Sequence, residues 1–150
     1  MTPGEVWARI LADHVAIRGM LLSLESVANR VRDGERSLAA ALRLEGEALL
    51  HHLQEHMSWE DLHLAPALRR ADAWGEERAA KLDSDHREQR QVLAHCLAGV
   101  EDESRPESVV ARTLIDLVEM LREDIEDEER LLLDERILRD DVVGIDVEAG

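Results

Sequence analysis

Four stretches of the chain place apolar residues three and four positions apart, the repeat that lines one face of an α-helix. The first reads Trp7, Ile10, Leu11, His14, Ile17, Leu21 and Leu24. It opens on Thr2-Pro3-Gly4-Glu5, a capping threonine with proline at the first helical position and glutamate three residues after the cap. Charge and glycine at Arg32-Asp33-Gly34 end it. A second helix is expected from about Ser37 to Arg70, through Leu42, Leu49, His52, His56, Glu60 and Leu64. Pro66 should kink or finish it, and Ala71–Gly75 should form the turn. The third, roughly Glu76 to Val100, sets Ala79, Leu82, His86, Leu93 and Leu97 on one face, and Glu101–Pro106 breaks the chain. A fourth is expected from Pro106 to about Arg139, with an inner face of Leu114, Leu117, Leu121, Asp124, Glu128 and Leu131. Residues 140–150 lack periodicity and are expected to trail or pack loosely.

Four helices with short connections favour an all-α, antiparallel up-down-up-down four-helix bundle spanning residues 1–139. The chain also hints at a duplicated hairpin. Helices one and three each carry Asp-His-x-x-x-Arg, as Asp13-His14 with Arg18 and Asp85-His86 with Arg90. Helices two and four align as His56/Glu60/Asp61/Leu64 against Asp124/Glu128/Glu129/Leu132. Duplication would place the four polar stripes around one pseudo-twofold axis.

Polar groups interrupt each apolar stripe near its middle. His56 and Glu60 stand four apart, about 40° from one another around a helix and one turn apart along it. His14, His86, Asp124 and Glu128 take inward positions on the other three helices. An isolated buried carboxylate costs several kcal/mol unless it is compensated, and these stripes hold no Lys or Arg. A divalent metal, or a pair of them, resolves the conflict, because imidazole and carboxylate donors suit transition metals. His63 and His52 lie near the same azimuth, one turn to either side, where they could serve as supporting or replacement ligands. His51 and His95 are expected at the surface, Cys96 as a small, partly buried apolar residue, and Trp59 in ordinary core packing.

Composition narrows the partners. The chain has 150 residues, enough for one domain with a core of normal size, and its formal charge is −16 at neutral pH. Such a chain repels a phosphate backbone, and no basic stripe overrides that, so nucleic-acid binding is not expected. No signal pattern opens the sequence and no apolar run is long enough to cross a membrane, so a cytoplasmic location is expected. One cysteine excludes an intramolecular disulfide and thiolate clusters.

His14, His56-x-x-x-Glu60 followed by Asp61, Leu62, Leu64, Pro66 and Leu68, then His86 and the carboxylate pair on helix four, resemble the hemerythrin-like, or HHE cation-binding, domain. The resemblance covers the chain to about residue 139. It implies a bundle holding two non-haem iron ions, with Mn or Zn as alternatives, and with Glu60 and Glu128 as bridging carboxylates. The implied partner is O2, NO, peroxide or iron itself, on a monomer or homodimer. Asp124 stands where the family usually has a second histidine of a His-x-x-x-Glu pair, and Arg90 where oxygen carriers have a second helix-three histidine. Those departures make the site harder and more anionic and weaken one metal position. Binding is expected rather than catalysis. A di-iron enzyme that consumes peroxide or delivers iron, and a metal-free interaction module, are the alternatives.

Overall fold

The computed structural model describes residues 1–134 and 136–140. Its elements are α1 (Pro3–Arg32), a 3-10 turn at Arg36–Leu38, α2 (Ala39–Ala71), α3 (Gly75–Glu101) and α4 (Glu107–Leu131), with no strand among the described residues. α1 packs against α2 and α4, and α2 against α3. That neighbour pattern is the expected up-down-up-down bundle. Only the fourth pairing is slack: α3 and α4 touch sparingly, although they are sequence neighbours.

Local chemistry sets most helix ends. The Thr2 hydroxyl accepts from the Glu5 backbone N–H at 3.1 Å, and the Glu5 carboxylate accepts from the Thr2 N–H at 2.8 Å. This reciprocal pair satisfies amides that a helix start leaves unbonded. α1 ends at Gly34, whose φ of +108° lets the chain reverse without a Cβ clash. At the next turn, Asp72 accepts from the Trp74 N–H and from Arg78.

One boundary differs from the sequence pattern. α2 ends at Ala71, within one residue of the expected Arg70, and Pro66 lies inside its last turns, held by the buried Leu64, Ala65, Ala67 and Leu68 that flank it. α4 stops at Leu131, eight residues before the expected Arg139, and Leu131 faces solvent instead of the core. Beyond it the chain turns inward. Leu132, Leu133 and Leu138 pack onto Val6, Ile10, Leu64 and Leu68, and the Leu133 carbonyl accepts from the Trp7 indole at 2.6 Å. Asp140 accepts from the Gly4 N–H at 2.8 Å, and the rest of the expected tail, residues 141–150, lies outside the described residues. A longer helix would carry these leucines away from that pocket, so burial outweighs helix propensity.

The core is divided. One cluster gathers Ile17, Leu21, Leu24, Leu49, Leu53, Leu93, Leu114 and Leu121 with their neighbours. The smaller one gathers Val6, Ile10, Leu64, Leu68, Leu82 and Leu132. Between the two lies a polar layer, with His14 between Ile10 and Ile17, Glu60 between Met57 and Leu64, and His86 between Leu82 and Leu93 along their helices.

Gly75, buried at the start of α3, sits against the end of α2, where an added Cβ would stand 2.1 Å from the Leu68 carbonyl oxygen and 2.8 Å from that of Arg69. Neither backbone atom can move aside cheaply. Gly75→Ala is therefore expected to destabilise the bundle by about 1–3 kcal/mol or more, measured by urea unfolding. An unchanged midpoint would show that the α2–α3 junction is softer than this packing implies.

Candidate metal centre

Helix periodicity turns His14, His56, Glu60 and Glu128 into the polar layer, and the bundle brings them together. One donor atom from each lies within 4.8 Å of the others. His14 Nε2 is 3.3 Å from Glu128 Oε1, and His56 Nε2 is 3.1 Å from Glu60 Oε1. The His14 and His56 rings lie with centroids 5.2 Å apart, tilted by 57° to one another. His14 and Glu60 are 1% exposed and His56 is 8% exposed, so water screens them little.

The remaining two candidates border this cluster without joining the four. His86, also buried, brings Nε2 to 3.3 Å from Glu60 Oε1. Asp124 is half-buried, and its Oδ2 accepts from Gln89 Nε2 at 3.2 Å. It does line the same small inner cavity, of about 30 Å³, as His14, His56, Glu60 and Glu128. His51 and His95 are exposed, as expected, and Cys96 is fully buried. His63 stacks on Trp59 with ring centroids 4.4 Å apart. Neither His63 nor the half-buried His52 enters the cluster.

Two positioning carboxylates had no assigned role in the sequence pattern, Glu129 and Asp61. His14 Nδ1 lies 3.2 Å from Glu129, which is gripped by Arg18 at 2.6 Å. Likewise His86 Nδ1 lies 2.7 Å from Asp61, which is gripped by Arg90 at 2.5 Å. Each carboxylate accepts the Nδ1 proton, leaving Nε2 with its lone pair toward the centre. Here the two Asp-His-x-x-x-Arg repeats acquire a physical meaning, since Arg and His of one helix clamp a carboxylate from a neighbouring helix. The repeat and the paired Glu60-Asp61 and Glu128-Glu129 were the signal that could have found them. The symmetry breaks at one pair of positions. His56 Nδ1 approaches Asp13 at 3.6 Å, whereas the counterparts Asp124 and Asp85 are both carboxylates and repel.

The electrostatics follow from crowding. Burial, with the Glu60 charge added, pushes Glu128 well above the ordinary carboxylate range. Burial would raise Glu60 too, but Glu128, His56 and His86 around it hold its carboxyl well below that range. Burial, and then the neighbouring His56, lower His14 and keep it neutral. For His86 the lowering effect of burial is outweighed by Glu60 and Asp61, which raise it. Burial raises Asp124 against its bond to Gln89, with Asp85 and Asp127 adding repulsion.

These groups fit a cation better than they fit each other. The short approaches are poorly aligned, and His56 Nδ1 and Nε2, Glu60 Oε2, His86 Nε2 and Glu128 Oε1 are buried without a hydrogen-bond partner. Leaving such atoms unsatisfied costs about 1–3 kcal/mol each. A mixed imidazole and carboxylate set suits iron, manganese or zinc.

The hemerythrin HHE cation-binding domain model matches residues 6–135. The chain belongs to the hemerythrin HHE cation-binding family. No curated protein and no solved structure matches it. As an HHE domain it carries a His/Glu cluster drawn from α1, α2 and α4, and no described helix is long and apolar enough to cross a membrane.

Removing a positioning carboxylate should loosen the metal more than the fold. Glu129→Leu is expected to weaken divalent-metal affinity about 10–100-fold, while Glu129→Gln, whose carbonyl still accepts the His14 proton, recovers most of it. Chelator competition would measure both, with thermal unfolding of metal-free protein as the control. Equal affinity in both variants would leave Glu129 with a merely structural role.

Proposed function

We propose that this HHE domain binds two non-haem iron ions, or related divalent metals, and uses them to bind or sense O2, NO, peroxide or iron. The observation that carries the reading is the four-donor cluster of His14, His56, Glu60 and Glu128 with its unpartnered buried atoms. In this reading His14, His56, Glu60, His86, Asp124 and Glu128 would hold the metal. Iron would supply coordination positions and redox chemistry for a small diatomic or peroxide ligand. The chain's part is to fix the donors. Arg18–Glu129 and Arg90–Asp61 set the His14 and His86 tautomers, and Ile17, Leu53 and Leu121 wall the inner cavity. Buried donors with no other partner argue against a metal-free interaction module. A cytoplasmic setting, which keeps iron ferrous for uptake, suits the proposal.

Metal content of untagged protein from iron-supplemented cells, read with its near-ultraviolet and visible spectrum, tests this. About two irons per chain with an oxo-bridge charge-transfer band is the expected result for a di-iron carboxylate bundle. Folded protein that takes up no metal would overturn the reading.

Metal binding should also depend on pH in a defined direction. Glu128 keeps its proton up to a raised pKa and must lose it to become a ligand, while Glu60 and His14 already lack the competing proton. Affinity is therefore expected to fall as pH drops below the raised Glu128 value, by about tenfold per pH unit per displaced proton. Calorimetry in buffers of different ionisation enthalpy counts the protons released. Release of none would mean that Glu128 stays outside the metal shell.

A further inference from the structure

We propose that the cleft between α3 and α4 is the inlet through which a divalent cation reaches the buried cluster, with Asp124 and Gln89 at the threshold. This inference rests on the metal-binding reading above and assigns a route to it.

The slack contact between α3 and α4 leaves a cleft of about 190 Å³. Its walls carry five carboxylates, from Asp85 and Glu88 on α3 and from Asp124, Asp127 and Glu128 on α4. One ammonium, Lys81, answers them, and it is engaged with Asp85 at 3.1 Å. A cleft with low-dielectric walls and one sign of charge concentrates counter-ions. Acidity alone would be an ordinary solvated surface. What distinguishes this cleft is where it leads.

Asp124, Glu128 and Gln89 line both the cleft and the inner cavity, so the two spaces share a wall made of these three side chains. Beyond that wall, Glu60 and His56, more than nine-tenths buried, present unpartnered atoms to the inner cavity. The amide of Gln89 holds the Asp124 carboxylate at this wall, apart from the four-donor cluster. Asp124 can thus meet a cation on the solvent side and present it to Glu128, whose buried Oε1 has no partner. Among the described residues the opposite gap is packed more tightly. There α1 and α2 pack closely, His56 leans on Asp13, and Arg9 covers Asp13 at 3.3 Å. Asp124 makes the inlet: the like charge of Asp85 and Asp124 disfavours closure of the α3–α4 gap.

The test is the rate of Co(II) uptake, followed by stopped-flow absorbance at low ionic strength, beside its equilibrium affinity. Asp85→Asn with Asp127→Asn removes two cleft charges without touching the four-donor cluster. Uptake is expected to slow about tenfold, with affinity changed less than twofold and the salt dependence of the rate reduced. Glu103→Gln with Glu107→Gln, at the far end of the bundle, changes net charge equally and should leave the rate as it was. Equal slowing in both double variants, or no slowing in the cleft variant, would overturn the inlet while leaving the metal site standing. Folded wild-type protein that takes up no Co(II) would instead overturn the metal reading and the inlet with it.

Discussion

Two carboxylates meet in the middle of a hydrophobic bundle, and the rest of the structure answers that fact. Glu60 and Glu128 are removed from water and pressed together, which pushes the Glu128 carboxyl well above its ordinary range while Glu128, His56 and His86 hold that of Glu60 below it. Burying such charge costs several kcal/mol unless partners compensate. Three imidazoles, of His14, His56 and His86, each placed by a different helix, come within 3.3 Å of one of the glutamates, yet several of these atoms stay without a hydrogen-bond partner. The polar layer divides the apolar core into two clusters, and the helices must be long enough to bury leucines on both sides of it.

Around that layer the chain uses one device twice. An arginine fixes a carboxylate, and the carboxylate fixes an imidazole, once as Arg18–Glu129–His14 and once as Arg90–Asp61–His86. Both relays sit near the surface at their arginine ends and reach the buried layer at their histidine ends. The Asp-His-x-x-x-Arg repeat on α1 and α3 supplies the pairing. The symmetry fails at Asp124, which occupies the α4 position matching His56 on α2 and sets two carboxylates, Asp85 and Asp124, against each other across α3 and α4. One half of the site is therefore closed and nitrogen-rich, and the other is open and acidic.

Membership of the HHE family gives the fold and the cation-binding character of the cluster, while the particular chemistry rests on this chain's own residues. The positioning relays and the widened α3–α4 gap belong to those residues.

Much was legible without a structure. Apolar spacing alone places Ile10, Ile17, Leu21, Leu49 and Leu114 in the core, because about 100° per residue fixes the azimuth of every side chain on a helix. Ionisable residues at core azimuths, His14, His56, Glu60 and His86, stand out for the same reason, and all four are buried. The Thr2–Glu5 cap and the reversal at Gly34 are local and were equally readable. Azimuth, however, says nothing of how far apart groups on different helices stand. That distance depends on the rotation and axial register of each helix, which the packing of the whole core sets. So only the tertiary structure turned Leu131 outward, tied Asp124 to Gln89, and drew Glu129 and Asp61 from the stripe edges onto the histidines. It also ended α4 at Leu131, because the pocket that buries Leu132, Leu133 and Leu138 is built from residues of α1, α2 and α3 that no local pattern could supply.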